Sequence, residues 1–196
     1  MVSVRSVFSL IFLIAASSFI HKDLNEYGKW RRFHDIDNVE FVQTGEAKKM
    51  TRDFHPYILS AEYQNLCRRF RFTSPDSTFF LDLDSRDISF EKDSAGALRW
   101  FGADPNQEVQ LVDLHTGKAT TLLSFIGDGF AETAIWRNKY LFEVCGFKHS
   151  GNKYVPTVWK YDLQENTVQE FQTKKHFILN PKSYTVEVRL KGIMPR

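Results

Sequence analysis

Three aspartates, Asp82, Asp84 and Asp87, lie close together near the middle of the chain, and Asp104 follows them. Two carboxyl groups about 5–9.5 Å apart across a cleft can act as the acid and the base of a glycosidase. One interpretation is therefore an extracytoplasmic hydrolase of glycan or peptide that uses Asp82, Asp84 or Asp104. The separation of these groups depends on the strands and turns that carry them.

A metal site is not predicted from the acidic residues. A calcium loop of the EF-hand type needs a glycine at its sixth position and a glutamate at its twelfth. Counted from Asp82, the glycine is absent and Asp93 occupies the twelfth position. In a strand, His34 would lie on the face opposite to Asp35 and Asp37, so this cluster does not converge on a metal either. We predict no metal and no cofactor.

Catalytic signatures are missing from the sequence. It contains no Gly-x-Ser-x-Gly motif, no phosphate-binding Gly-x-x-x-x-Gly-Lys-Ser/Thr loop, no dinucleotide-binding glycine pattern and no His-Glu-x-x-His motif. We therefore predict no catalytic residue and favour a non-catalytic binding or interaction module over the hydrolase. Its ligand is expected to contact acidic and aromatic side chains, namely Asp82, Asp84, Asp87, Trp100, Asp104 and Trp136.

Short alternating runs separated by turn residues begin at residue 66, and this pattern is typical of an antiparallel all-β protein. Alternation in Arg69-Phe70-Arg71-Phe72 predicts a strand with both phenylalanines on one face. The next residues, Ser74-Pro75-Asp76-Ser77, predict a turn, because proline presets φ and aspartate bonds its own backbone. Similar runs continue to residue 172.

Two parts of the sequence repeat each other. The segment RFRFTSPDSTFFL matches ETAIWRNKYLFEV, and Asp113-Leu114 matches Asp162-Leu163. The matches predict two four-stranded meanders, at residues 67–123 and 131–173. The first unit carries an insertion at residues 84–98, predicted as a protruding hairpin or loop, and residues 84–106 are expected to present the ligand-binding surface.

These turns resemble those of β-propeller blades, in which a Ser-Pro-Asp turn joins the first two strands and an Asp-Leu-x-Thr-Gly turn joins the last two. Ser74, Pro75 and Asp76 fit the first turn, and Asp113-Leu114 with Thr116-Gly117 fits the second. The second unit departs from both patterns. The resemblance implies blade-like units, but a closed propeller typically needs about 4–8 blades. The predicted architecture is therefore a partial propeller or a two-sheet stack, and we favour a monomeric stack.

The remaining segments must cover the exposed sheet faces. A C-terminal strand is predicted at Tyr184–Lys191. The segment 19–65 is less clear: Trp30–Phe33 and Val39–Val42 could be strands, and residues 55–63 could form either a short helix or a strand.

Residues 1–18 have the pattern of a signal peptide. Arg5 precedes an uncharged run over residues 6–20, which is shorter than the roughly 20 residues that cross a bilayer. Cleavage after Ser18 would place the protein in the periplasm or outside the cell, with no integral membrane span. Export permits a disulfide between Cys67 and Cys145, and two buried thiols are the alternative.

The charge balance argues against nucleic acid as a partner. Lys and Arg total 26 and Asp and Glu total 24, far from the basic excess that phosphate backbones favour. The sequence contains 18 Phe, 7 Tyr and 4 Trp, enough bulky apolar surface for a packed core. The sequence thus predicts an exported, all-β protein that binds an unknown protein or carbohydrate ligand.

Overall fold

A computed structural model describes residues 26–57, 65, 68–85, 87–102, 106–178 and 181–195. The predicted signal peptide, Cys67, Asp104 and most of residues 55–63 lie outside the described residues. A helix, α1, covers residues 26–33, a 3₁₀ turn covers Arg68–Phe70, and a π-helical turn covers Thr185–Arg189.

The strands, in chain order, are β1 (Phe41–Gln43), β2 (Lys48–Lys49), β3 (His55–Pro56), β4 (Phe72–Thr73), β5 (Phe79–Asp82), β6 (Ile88–Lys92), β7 (Leu98–Gly102), β8 (Asn106–Asp113), β9 (Lys118–Ile126), β10 (Gly129–Trp136), β11 (Leu141–Ser150), β12 (Lys153–Asp162), β13 (Thr167–Thr173) and β14 (Met194–Pro195).

Both predicted meanders are present. In the first sheet β4, β5, β8 and β9 pair antiparallel in that order, and β3 adds to the outer edge of β9. In the second sheet β10, β11, β12 and β13 pair antiparallel, and the short strands β1 and β2 add to β13. The fold is all-β, and within the described residues the sheets form no closed barrel.

The insertion in the first unit is a hairpin. Strands β6 and β7, which lie between β5 and β8 in the sequence, pair antiparallel with each other. Strand β14 pairs parallel with β7, and the three strands form a separate sheet, the hairpin sheet. Asp93 closes the hairpin turn, because its carboxylate accepts the backbone N–H groups of Ala95 and Ala97.

The repeated turns have matching geometry. Asp113 accepts two backbone N–H groups after β8, and Asp162 does the same after β12. Gly117 then adopts a φ of 65°, and Asn166 adopts a φ of 55° at the equivalent place. Asparagine tolerates this left-handed conformation better than most residues. The second unit therefore keeps the turn although it lacks the Thr-Gly pair.

The main core lies between the two meander sheets. Leu81, Val109 and Leu111 of the first sheet pack in one cluster with Trp136 and Val144 of the second. Each sheet buries its inner face against the other, and two sheets stacked in this way remove apolar area from water on both. This arrangement is the two-sheet stack that the repeats predict.

The outer face of the second sheet is covered by both ends of the described chain. Trp30 and Ile36, from α1 and the residues after it, and Tyr184, from the C-terminal segment, pack with Cys145 and Phe147 in a second cluster. Within the part of the chain that the structure describes, no helix has the length and apolarity that crossing a bilayer requires.

Two local predictions are wrong. The predicted C-terminal strand at Tyr184–Lys191 contains the π-helical turn instead. Arg68–Phe70 is a 3₁₀ turn, so the strand predicted from Arg69 is confined to Phe72–Thr73. Trp30–Phe33, which could have been a strand, lies in α1. Contacts with distant residues decide each case: Trp30 and Tyr184 are fully buried against the second sheet, and Phe70 stacks on Phe90 of the hairpin.

Candidate functional site

A cleft of about 340 Å³ opens where the hairpin sheet, the beginnings of β8 and β10 and the C-terminal segment meet. The hairpin contributes Ile88 and Trp100 to its lining, and the C-terminal segment contributes Val186. Its lining is Asp87, Ile88, Trp100, Gly102, Gln107, Phe130, Ala131, Glu132, Pro181, Ser183, Thr185 and Val186. Apolar side chains with a few polar groups among them are typical of a ligand pocket.

Two of the predicted ligand-contacting residues, Asp87 and Trp100, line this cleft. Trp136 does not: it is buried in the core, where its indole N–H donates to the carbonyl of Phe72 at 2.8 Å. Asp104 lies outside the described residues.

Asp82 is buried, and its carboxylate closes the turn that follows β5. It accepts the backbone N–H groups of Asp84 and Ser85, both at 3.1 Å, and the hydroxyl groups of Ser85 and Tyr57. Burial raises the pKa of Tyr57, and the neighbouring Asp82 raises it further, so this phenol stays a donor. Asp82 thus connects the turn after β5 to Tyr57, the residue that follows β3.

Asp84 forms a buried ion pair with Arg189. The guanidinium donates through both terminal nitrogens, with Nη1 at 3.0 Å from Oδ1. Only 7–8% of either side chain is exposed. Arg189 also donates to the carbonyls of Glu132, at 3.0 Å, and Phe70, at 3.2 Å. The pair therefore fixes the C-terminal segment to the base of the hairpin.

Glu132 is the buried acidic residue at the cleft floor, and the sequence patterns above did not single it out. Its Oε2 accepts the indole N–H of Trp30 at 2.9 Å and lies 2.7 Å from Nε2 of His34. Its Oε1 accepts the backbone N–H of Tyr184 at 2.7 Å. One carboxylate thus joins α1, β10 and the C-terminal segment.

A β-bulge directs Glu132 to this position. The pairing of β10 with β11 shifts register between Ala131 and Thr133, so Glu132 is the extra residue. Ala131 and Ala134 both pack into the main core, whereas Glu132 contacts the cluster on the opposite face. Regular alternation would place Glu132 on the same face as Ala134, and the bulge reverses it.

Gln107 joins the two units at the cleft. Its amide donates to the carbonyls of Leu83, at 3.0 Å, and Ala131, at 2.9 Å, and its Oε1 accepts the N–H of Ala131 at 2.6 Å. Both the nitrogen and the oxygen of the side-chain amide therefore form hydrogen bonds within the protein. Because β8 also contains Asn106, Glu108, Gln110 and Asp113, no sequence pattern distinguishes Gln107 from its polar neighbours.

The hydroxyl of Tyr184 donates to Glu26 at 3.0 Å, and burial, together with this carboxylate, raises its pKa. Burial likewise raises the pKa of the Cys145 thiol, which is free and has no exposed surface. Such a thiol is a poor nucleophile. Among the described residues, no three His, Cys, Asp or Glu side chains lie close enough together to hold a metal ion.

The site therefore combines an apolar, partly aromatic cleft with carboxylates that are already engaged by the protein itself. Comparison of the chain with protein families, with curated proteins and with solved structures finds no match. The geometry of the cleft is thus the basis for a functional proposal.

Proposed function

We propose that this protein is an exported, non-catalytic binding module that takes a neutral carbohydrate in the cleft. The observation that carries the proposal is that Trp100 lines the cleft together with Ser183 and Val186 of the C-terminal segment. The flat face of an indole packs against the apolar face of a sugar ring, and hydroxyl groups beside it bond the sugar hydroxyls.

The hydrogen bonds and the ion pair that Asp82 and Asp84 form within the protein favour binding over hydrolysis. A general acid needs a proton that it can give away, and a general base needs a free lone pair directed at water or substrate. Asp82 accepts four hydrogen bonds from its neighbours, and Asp84 is paired with Arg189. Hydrolysis of glycan or peptide by these residues is the alternative proposal, and it requires this network to open.

Export rests on the predicted signal peptide at residues 1–18, so the proposed location is the periplasm or the cell exterior. Intact-mass measurement of the protein recovered from the expressing cell tests this part. We expect a mature chain that begins at Phe19, and a full-length chain retained in the cytoplasm would contradict it.

Calorimetric titration and thermal shift with a panel of neutral oligosaccharides test the carbohydrate proposal. A ligand present at about 100 times its dissociation constant adds about 2.7 kcal/mol to the free energy of unfolding. We expect Trp100→Ala to weaken binding by tenfold or more, because it removes the stacking surface. Val186→Arg should also weaken binding by narrowing the cleft, and Val186 is 40% exposed, so the fold should tolerate the change.

Phe54→Ala is the matched control, because Phe54 is 48% exposed and does not line the cleft. Unchanged affinity in both cleft variants would contradict the proposal, and so would the absence of binding to every oligosaccharide tested. Release of reducing ends from any oligosaccharide, abolished by Asp84→Asn in a folded protein, would favour the hydrolase instead.

A further inference from the structure

The two most exposed large apolar side chains among the described residues are Ile126, at 77%, and Ile178, at 68%. Both lie at the same end of the molecule. Ile126 ends β9 beside the turn to β10, and Ile178 follows Phe177, which is bridged to Tyr154 at the start of β12. At these exposed fractions the two side chains contribute little to the packed core.

Backbone hydrogen bonds hold this end together. The carbonyl of Asp128 accepts the N–H of His149 at 2.9 Å, which joins the β9–β10 turn to the β11–β12 hairpin. Tyr154 and Phe177 exchange two hydrogen bonds, at 2.8 and 2.9 Å, which attach residues 174–178 to the same hairpin. Three separate turns are therefore presented side by side.

Basic residues accompany the two isoleucines. Lys153, Lys174 and His176 are exposed on these same turns, as is Asp128, and the neighbouring Lys175 pairs with the exposed Asp35 at 3.3 Å. We define the tip surface as Ile126, Lys153, Lys174, His176 and Ile178. It carries two exposed aliphatic groups beside two lysines whose charges are not paired with a carboxylate in the described residues.

We propose that the tip surface docks the protein on an anionic lipid bilayer. Isolated aliphatic side chains insert at the boundary between headgroups and acyl chains, and lysines beside them attract anionic headgroups. A protein partner would need about 800 Å² of complementary surface on each side, more than two isoleucines on separate turns provide as an apolar centre. Single-stranded nucleic acid would need aromatic stacking platforms, which these residues are not.

This docking is independent of the carbohydrate cleft, because none of the five tip residues lines that cleft. The two proposals therefore fail separately: loss of lipid binding leaves the titrations with oligosaccharide unaffected, and a silent oligosaccharide panel leaves the vesicle experiment unaffected.

Co-sedimentation of the mature protein with vesicles of phosphatidylcholine, with and without phosphatidylglycerol, tests the proposal. We expect binding to vesicles that contain phosphatidylglycerol and at least tenfold weaker binding to phosphatidylcholine alone. Each exchange of Lys153 or Lys174 to Glu should weaken binding by about fivefold or more, since a lysine near an anionic surface contributes about 1 kcal/mol. The double variant Ile126→Ser, Ile178→Ser should weaken it by tenfold or more.

The matched controls lie at the opposite end of the sheets. Lys48→Glu and Lys118→Glu change exposed lysines of β2 and β9, and Leu114→Ser changes a 48% exposed leucine in the β8–β9 turn. They should leave vesicle binding within twofold of wild type. Equal binding to both vesicle types, no binding to either, or equal effects of tip and control variants would overturn the proposal. A concentration-dependent dimer that the double isoleucine variant abolishes would assign this surface to self-association and would also overturn it.

Discussion

Two buried carboxylates, Asp84 and Glu132, connect segments that are far apart in sequence. Asp84 and Arg189 are separated by 105 positions, and Glu132 receives hydrogen bonds from residues 102 and 52 positions away. In a medium of low polarity an unpaired charge is strongly unfavourable. Removing one partner of such a contact should therefore destabilise the protein by more than the contact itself contributes.

The pair of Asp84 and Arg189 gives a residue-level prediction. Asp84→Asn leaves the guanidinium without its counter-ion, and we expect a loss of about 3–5 kcal/mol in the free energy of unfolding measured in urea. Arg189→Met should be similarly destabilising. The double variant should lose less than the sum of the two, with a coupling of about 1–3 kcal/mol.

Lys29→Met is the control for this double-mutant cycle of Asp84 and Arg189. Lys29 pairs with Glu26 on the surface, and its side chain is 45% exposed, so its loss should change stability by less than about 1 kcal/mol. Strict additivity of the Asp84 and Arg189 variants would show that the two groups do not interact in solution.

At the level of elements, the bulge in β10 is the feature on which the cleft floor depends. It forms opposite Gly146 of β11, where the two backbones approach closely. A Cβ atom added at Gly146 would lie 2.0 Å from the carbonyl oxygen of Phe130 and 2.8 Å from the Cα of Ala131. Only glycine permits the backbones of β10 and β11 to approach so closely, so Gly146 is needed for the bulge that positions Glu132.

Gly146→Ala is therefore expected to force β10 and β11 apart and to lower the free energy of unfolding by at least about 1–3 kcal/mol. It should also shift the amide resonances of Ala131 and Glu132 in a heteronuclear correlation spectrum. The control is Gly102→Ala, because a Cβ there meets nothing within 4 Å. If Gly146→Ala matches Gly102→Ala in stability, the close approach does not exist in solution.

On the scale of the whole molecule, the two meanders share one core, and we expect them to unfold as one cooperative unit. The C-terminal segment packs Tyr184, which is 0% exposed, on the outer face of the second sheet, and Leu190, which is 2% exposed, against the hairpin. A unit of this kind should unfold without an intermediate in which one sheet survives.

Urea unfolding monitored by tryptophan fluorescence and by far-ultraviolet circular dichroism should give coincident transitions. Trp30, Trp100 and Trp136 belong to three different clusters, so variants that retain one of them report on separate regions. Truncation after Ser183 removes Tyr184 and Arg189, and it should abolish cooperative unfolding. Replacing the exposed Val186 and Glu187 by alanine is the control, and separate midpoints for the individual tryptophans would contradict a single unit.

Much of the fold could be predicted from local patterns. Alternation and turn residues suffice for the two meanders and the inserted hairpin, because a strand buried on one face must repeat every second residue. The turn aspartates, Asp113 and Asp162, act within two or three residues of their own position, so sequence neighbours reveal them. Of the residues that the sequence suggests for ligand contact, Asp87 and Trp100 line the cleft, whereas Asp82 and Trp136 form hydrogen bonds within the protein.

Only the tertiary structure decides the secondary structure of the first and last described segments and the position of Glu132 in the cleft. Residues 184–191 alternate as a strand does, yet they contain a π-helical turn, and Trp30–Phe33 lies in a helix; both segments cover the face of a sheet that is already complete. Glu132 lies in β10, and a one-residue bulge opposite Gly146 turns its side chain away from the main core. Local sequence specifies which faces are apolar, whereas contacts between distant residues determine what covers them and where a buried charge finds its partners.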